Sequence, residues 1–276
     1  MSSLSPTVRI PRLESHGRVS FPRVLLSEWT KLRSVRSTAW SLGAGFLLTI
    51  AFPVIFSFVL SAHWGQMKPG ERATHSSLEV ALAGVNVAQL AIAVLGVLVI
   101  TAEYSTGSSR STLTAVPKRL PVLWAKLVDY WLLSLVLMIP AVLVSFFVTQ
   151  AILARHDILQ TSFTAPGIAR CVLCGALYVM MVGIFALAIG ACVRNTAGGI
   201  ATFAGIFFVL PPLMFTLPQS WNNAISQYLP SEAGRQIFSL QHGAHTLTPL
   251  AGGLVFAAYC AAAVALAAFL LARRDV

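Results

Sequence analysis

Charged residues are scarce in this sequence, where they make up 10% of the 276 positions. A soluble globular domain carries about 25%. Hydrophobic residues account for 57% of the chain and fall into long uninterrupted runs. The scarcity of charge excludes an ordinary soluble fold, and the apolar runs predict a membrane protein.

Patterns that carry chemistry are also missing. The sequence has no His-Glu-x-x-His zinc helix, no phosphate-binding Gly-x-x-x-x-Gly-Lys-Ser/Thr loop and no convincing nucleophile elbow. Its six histidines all lie outside the apolar runs; they are His16, His63, His75, His156, His242 and His245. We therefore expect no catalytic residue, no metal site and no cofactor in this chain.

The four cysteines, in contrast, all lie inside apolar runs: Cys171, Cys174, Cys192 and Cys260. Cys171 and Cys174 have the spacing of a redox or zinc motif, but a zinc site needs further Cys or His ligands, and none is close in sequence. We interpret the cysteines as small apolar side chains that pack between helices.

Six apolar stretches are long enough to cross a bilayer, which requires about 20 helical residues. Only helices satisfy their own backbone groups in lipid as single segments. The sequence thus predicts an all-α, polytopic membrane protein with six transmembrane helices. The predicted spans are residues 39–62, 78–101, 127–152, 169–193, 198–217 and 249–272.

The basic residues fall mainly on one side of these spans. Of the 19 lysines and arginines, five lie on the side away from the N-terminus: Lys68, Arg72, Arg155, Arg170 and Arg235. Because cytoplasmic loops carry the surplus of Lys and Arg, we expect both termini to be cytoplasmic. The net charge of +10 is then explained by topology and anionic lipid, and not by nucleic acid.

A disordered tail is expected over residues 1–21, before a six-helix transmembrane domain over residues 22–276. The domain opens with an amphipathic helix within residues 22–37. Leu25, Leu26, Trp29 and Leu32 share one face of it, whereas Glu28 points elsewhere. A basic amphipathic helix with a tryptophan is expected to lie in the headgroup region as an anchor.

The stretch from Glu103 to Lys126 is polar and basic, and it lies between the second and third spans. Glu103 is its one acid, against Arg110, Lys118, Arg119 and Lys126. We predict a cytoplasmic loop with short helices that contact a partner.

On the other side, Pro211 and Pro212 lie inside the fifth span and should bend or break it. Trp221 and Tyr228 follow at helical spacing, which predicts a short helix at the outer leaflet. These four residues form either an outer gate or a harmless bend.

Five stretches together resemble one known family. They are LLSEWTKLRSVRSTAW (25–40), ITAEYSTGSSRSTLTAVPKRLPVLWAK (100–126), ACVRNTAGGIA (191–201), QYLPSEAG (227–234) and LLARRDV (270–276). They look like the membrane subunit of ATP-binding-cassette transporters of the type-2 permease family. The likeness is to the short six-span form common in high-GC Gram-positive bacteria.

This resemblance implies a permease subunit of an exporter in the bacterial plasma membrane. Residues 25–38 match the family's elbow helix, 105–119 its coupling helix, and the segment before the last span its outer re-entrant helices. Two copies, or two related permeases, would pair, and a separate ATPase subunit would bind ATP and Mg²⁺. In the coupling segment, Glu103 matches an acidic position of the family. Contact with the ATPase would come from Arg110, Leu113, Val116, Lys118 and Arg119.

Two other functions stay open. The chain is alternatively a membrane-embedded enzyme acting on lipid or peptide, or an assembly protein without transport. The apolar composition of the spans favours a hydrophobic or amphipathic cargo, such as a drug, an antibiotic-like peptide or a lipid.

Overall fold

A computed structural model describes residues 21–34, 36–74, 76–105, 119–158, 160–240, 243 and 245–273. All regular secondary structure within these ranges is helical, which confirms the all-α prediction. The helices, in chain order, are α1 (Phe21–Ser34), α2 (Arg36–His63), α3 (Pro69–Thr74), α4 (Ser77–Ser105), α5 (Arg119–Arg155), α6 (Ile168–Val193), α7 (Thr196–Ala204), α8 (Leu210–Met214), α9 (Gln219–Ile225), α10 (Pro230–Arg235) and α11 (Pro249–Arg273). A π-helical turn, Gly205–Val209, joins α7 to α8.

Six segments are long and apolar enough to cross a membrane, as predicted. They are Thr38–Gln66, Ser77–Ala102, Leu120–Arg155, Ile168–Val193, Thr196–Met214 and Pro249–Arg273. The third span differs from its prediction, because α5 begins at Arg119 and not near residue 127. The sequence predicts a loop over residues 119–126, but these residues form the first two turns of this helix.

Helices α4 and α6 form the centre of the bundle. In their most apolar stretches, 61% and 72% of the residues are buried, against 17–39% in the other four spans. The two helices also touch at the backbone: a Cβ added to Gly96 would lie 2.5 Å from the carbonyl oxygen of Gly183. Glycine is therefore required here for close approach, which is the usual basis of helix association in lipid.

Polar contacts hold the helix ends together at both ends of the bundle. At the end that carries α1, the hydroxyls of Thr101 and Thr196 lie 2.8 Å apart. At the opposite end, the Ser77 and Thr161 hydroxyls lie 2.6 Å apart, and Arg170 donates to the carbonyl oxygens of Ile237 and Ser239 at 3.0 Å each. We call these the α1 end and the α10 end.

The turn between α6 and α7 is as short as the sequence suggests. Arg194 ends α6 in the left-handed conformation (φ 58°) and its N–H donates to the carbonyl of Gly190. Its guanidinium lies over the Tyr104 ring, 5.3 Å from the centroid. Asn195 then begins α7 by accepting a hydrogen bond from the N–H of Gly198 at 2.8 Å.

The fifth span is interrupted where the prolines predict it. The N–H of Leu210 donates to the carbonyl of Gly205, five residues back, so the helix widens by one residue before Pro211 and Pro212. Proline has no N–H to donate, and its ring crowds the preceding turn. A π-turn is a common solution to such a conflict.

Two glycine substitutions should have opposite effects. Gly96→Ala should lower stability, because the new Cβ meets the Gly183 carbonyl and forces α4 away from α6. Gly43→Ala should instead raise stability by about 0.5–1 kcal/mol through helix propensity, since a Cβ there meets nothing within 4 Å. The measurement is the thermal unfolding midpoint of each variant in detergent. Equal shifts of the same sign would contradict the proposed contact.

Candidate functional site

Most of the predicted ATPase-contact residues lie in segment 106–118, outside the described residues; these are Arg110, Leu113, Val116 and Lys118. The backbones that flank this segment are described. Glu103 lies in the last turn of α4, and Arg119 is the first residue of α5. Their side chains are outside the description, so the role of the six residues stays a prediction.

A buried ion pair ties α1 to the start of α5. The ammonium of Lys126 donates to Oε2 of Glu28, and Lys31 donates to Oε1 of the same carboxylate at 2.7 Å. The Glu28 side chain is 2% exposed and that of Lys126 is 5% exposed. Such a pair joins two helices only while both charges are present, because a lone buried charge is strongly unfavourable.

Apolar packing surrounds this ion pair. Val24 of α1 contacts Val122 and Ala125 of α5 in a small buried cluster. Val24, Glu28 and Leu32 lie at successive four-residue steps and form the buried face of α1. The expectation that Glu28 points away from the packed face is therefore wrong, because Lys126 offsets the cost of burying it.

A second carboxylate lies close by, one turn along α5. Asp129 is 2% exposed, and its Oδ2 atom has no hydrogen-bond partner among the described residues. With Glu28 and Lys126 it forms a compact group of charges at the α1 end.

The predicted anchor face of α1 is divided by the structure. Leu32 is buried and Leu25 packs against the small cluster with Val24, whereas Leu26 and Trp29 are 66% and 37% exposed. An exposed leucine and tryptophan suit contact with lipid headgroups, so the anchor role of these two remains a prediction. Trp29 also lines an apolar crevice of about 310 Å³ with Leu42 and Leu133.

At the α10 end, the four predicted gate residues lie in three successive elements, and their role stays a prediction. Pro211 and Pro212 lie within α8, after the π-turn. Trp221 in α9 and Tyr228 in the following 3₁₀ turn are 62% and 48% exposed. The short helix predicted here is present as α9. Leu229, the residue after Tyr228, is buried.

Aromatic rings connect the π-turn with the α10 end. Phe207, in the π-turn, lies 6.0 Å from Phe256 of α11, measured between ring centroids. Phe256 is 5.7 Å from Tyr178 of α6, and Tyr178 is 5.2 Å from Phe238. The fifth span therefore contacts the segment before α11 through a continuous row of packed rings.

Tyr178 also makes a polar contact in the interior. Its hydroxyl donates to Oε1 of Gln89 on α4 at 2.6 Å, and both side chains are buried. In lipid each would cost several kcal/mol if unpaired. This bond fixes the position of the ring row relative to α4.

Sequence reasoning missed the two internal polar contacts, although signals existed for both. Glu28 stands four residues from Val24 and from Leu32, so it shares their helical face. Gln89 is a polar residue in the middle of an apolar span, and such residues commonly find a partner on another helix.

No protein-family model matches this chain, and no curated protein matches it. Among the described residues, no group of three or more His, Cys, Asp or Glu side chains has the arrangement of a metal site.

The buried ion pair gives a stability prediction. Lys126→Met should lower the free energy of unfolding by about 3 kcal/mol, because the Glu28 carboxylate stays buried without its main partner. Glu28→Leu combined with Lys126→Met removes both charges and should recover most of this loss. The measurement is unfolding in mixed micelles, followed by circular dichroism. A double variant as unstable as the single one would exclude the ion pair as the cause.

Proposed function

We propose that this chain is the permease subunit of an ATP-binding-cassette exporter in a bacterial plasma membrane, with both termini cytoplasmic. It would form half of the translocation pathway, together with a second copy or a related permease. ATP hydrolysis, with Mg²⁺, would occur in a separate ATPase subunit, so the chain itself would not be an enzyme.

The observation that carries the proposal is the junction of α1 with the start of α5, which follows segment 106–118 in the chain. The six membrane-length helices suit a permease, and the ion pair between Glu28 and Lys126 joins α1 to α5 two turns after this segment ends. An amphipathic helix fixed in this way matches the elbow helix that the resemblance implies. The motifs of residues 25–40 and 100–126 meet at this junction.

The mechanical consequence follows from rigidity. An ATPase that closes on ATP would displace segment 106–118, and α4 and α5 flank it on either side. Helix α4 contacts α6 at the backbone, so a displacement of α4 would also displace α6. Helix α1 would follow α5 through the buried ion pair, and the surface helix and the central helices would move together.

The more exposed spans fit the pairing of two permeases. Spans Thr38–Gln66, Thr196–Met214 and Pro249–Arg273 have 28%, 17% and 28% of their apolar stretches buried within the chain. Lipid or a second permease would cover the rest. A cargo that is hydrophobic or amphipathic suits a path lined by such surfaces.

The contact with the ATPase gives the central test. Arg110→Glu combined with Arg119→Glu should greatly reduce copurification of an ATPase from the native membrane in mild detergent. Charges at the edge of an interface set the orientation and rate of association, and a reversed charge repels the group that it formerly attracted. The matched control is Arg23→Glu with Arg273→Glu, which reverses two exposed basic residues at the α1 end outside segment 106–118.

The control variant should keep its ATPase, and both variants should insert normally into the membrane. An ATPase that copurifies equally with both double variants would show that the contact lies elsewhere. Wild-type protein without any ATPase in several detergents would contradict the permease proposal itself.

A further inference from the structure

A cavity of about 430 Å³ lies at the α10 end, between the start of α4 and the segment that begins with α10. Its size falls within the range of small-molecule sites, about 300–1,000 Å³. From α4 it is lined by Glu79, Leu82 and Asn86, whose spacing places them on one helical face. From the facing segment it is lined by Glu232, Arg235, Gln236, Phe238 and Leu240, among others.

The charges that line the cavity do not cancel. Arg235 lies 3.6 Å from Glu232 in the same helix, so these two offset each other. Arg170 keeps its positive charge while it donates to the carbonyls of Ile237 and Ser239, but it does not line the cavity. Glu79 is exposed and forms no ion pair or hydrogen bond with a described residue, so the side chains that line the cavity carry one net negative charge.

A polar group deeper in the same wall is also without a partner. Asn86 is half-buried, two turns into the span, and makes no hydrogen bond with a described residue. Amides inside a membrane helix usually pair with another helix or serve a function. The amide of Asn86 is available to a molecule in the cavity.

The remaining walls are polar at Ser76, Gln236 and Ser239 and otherwise apolar. Leu78, Leu82, Phe238 and Leu240 contribute the apolar part, and Leu78 and Leu82 are almost fully buried. Phe238 rests on Tyr178, which is held by its hydrogen bond to Gln89. The aromatic wall is thus fixed in place before any ligand enters, which lowers the cost of binding.

We propose that this cavity binds an organic cation with an apolar body. The Glu79 carboxylate would pair with the cationic group, and the body would pack against Leu82 and Phe238. The Asn86 amide lies about 10 Å farther along the helix and would accept a hydrogen bond from a polar N–H group on the body. The cavity size favours a small amphipathic amine over a lipid with two full acyl chains.

This inference rests on the proposed function only for the biological role of the cavity, because an exporter would present such a site to its cargo at the outer side. Binding itself needs no ATPase. Its test can therefore fail while ATPase copurification succeeds, and the reverse is equally possible.

The test uses the full chain in phosphatidylcholine nanodiscs without an ATPase. Dansylcadaverine, a primary amine with an apolar fluorescent body, is titrated against the wild type, and its neutral N-acetylated analogue serves as the matched ligand. We expect saturable binding of the amine and at least tenfold weaker binding of the analogue. Glu79→Gln should weaken amine binding about tenfold, and Glu79→Lys should abolish it.

Glu71→Gln provides the protein control, because Glu71 lies in α3 on the same side of the bundle but does not line the cavity. This variant should bind the amine like the wild type. Equal affinity of Glu79→Gln and wild type for the amine would overturn the proposal. So would equal binding of the amine and the acetylated analogue, or no saturable binding of either.

Discussion

The backbone contact between α4 and α6 is the constraint on which the rest of the bundle depends. Lipid offers no hydrophobic gain for bringing two apolar helices together, so close packing must supply the association. Gly96 and Gly183 allow it, and the Tyr130 ring of α5 packs on Gly183 while its hydroxyl bonds the carbonyl of Ile92 at 2.7 Å. Three spans are thereby fixed around one point, and the remaining spans pack on their outer surfaces.

Two internal polar pairs each position one element of the bundle. The Tyr178 to Gln89 bond holds the aromatic row against α4, and the pair of Glu28 and Lys126 holds α1 against α5. Polar groups buried in an apolar environment are costly unless paired, so each pair selects one arrangement of its helices. The α1 end and the α10 end, which carry the two proposed sites, are thus oriented by a few polar contacts. The apolar side chains fill the space between these contacts.

Much of the fold could be predicted from the sequence, and the errors have a common cause. The six spans, the short turn at Arg194 and the irregular turn before Pro211 are set by local composition, and they lie where expected except for the start of the third span. The start of α5 was misplaced because charged residues suggested a loop. Lys126 is compatible with a buried helix only because Glu28, 98 positions away, pairs with it. The ATPase-contact residues are proposed from a resemblance, and most of them lie in segment 106–118. For this segment the structure describes only the flanking helices, α4 and α5.

The sequence by itself determined that the chain is helical and long enough to cross a bilayer six times, because lipid forces every backbone group to be paired within its own segment. It also determined where helices are interrupted, since proline cannot donate. Only the tertiary structure decided which spans are central, which charges are buried, and that Glu79 and Asn86 face the segment around Phe238 across a cavity. These features depend on contacts between residues that are distant along the chain. Helical periodicity predicts which face of a helix a side chain lies on, but it does not predict which residue of another helix the side chain will contact.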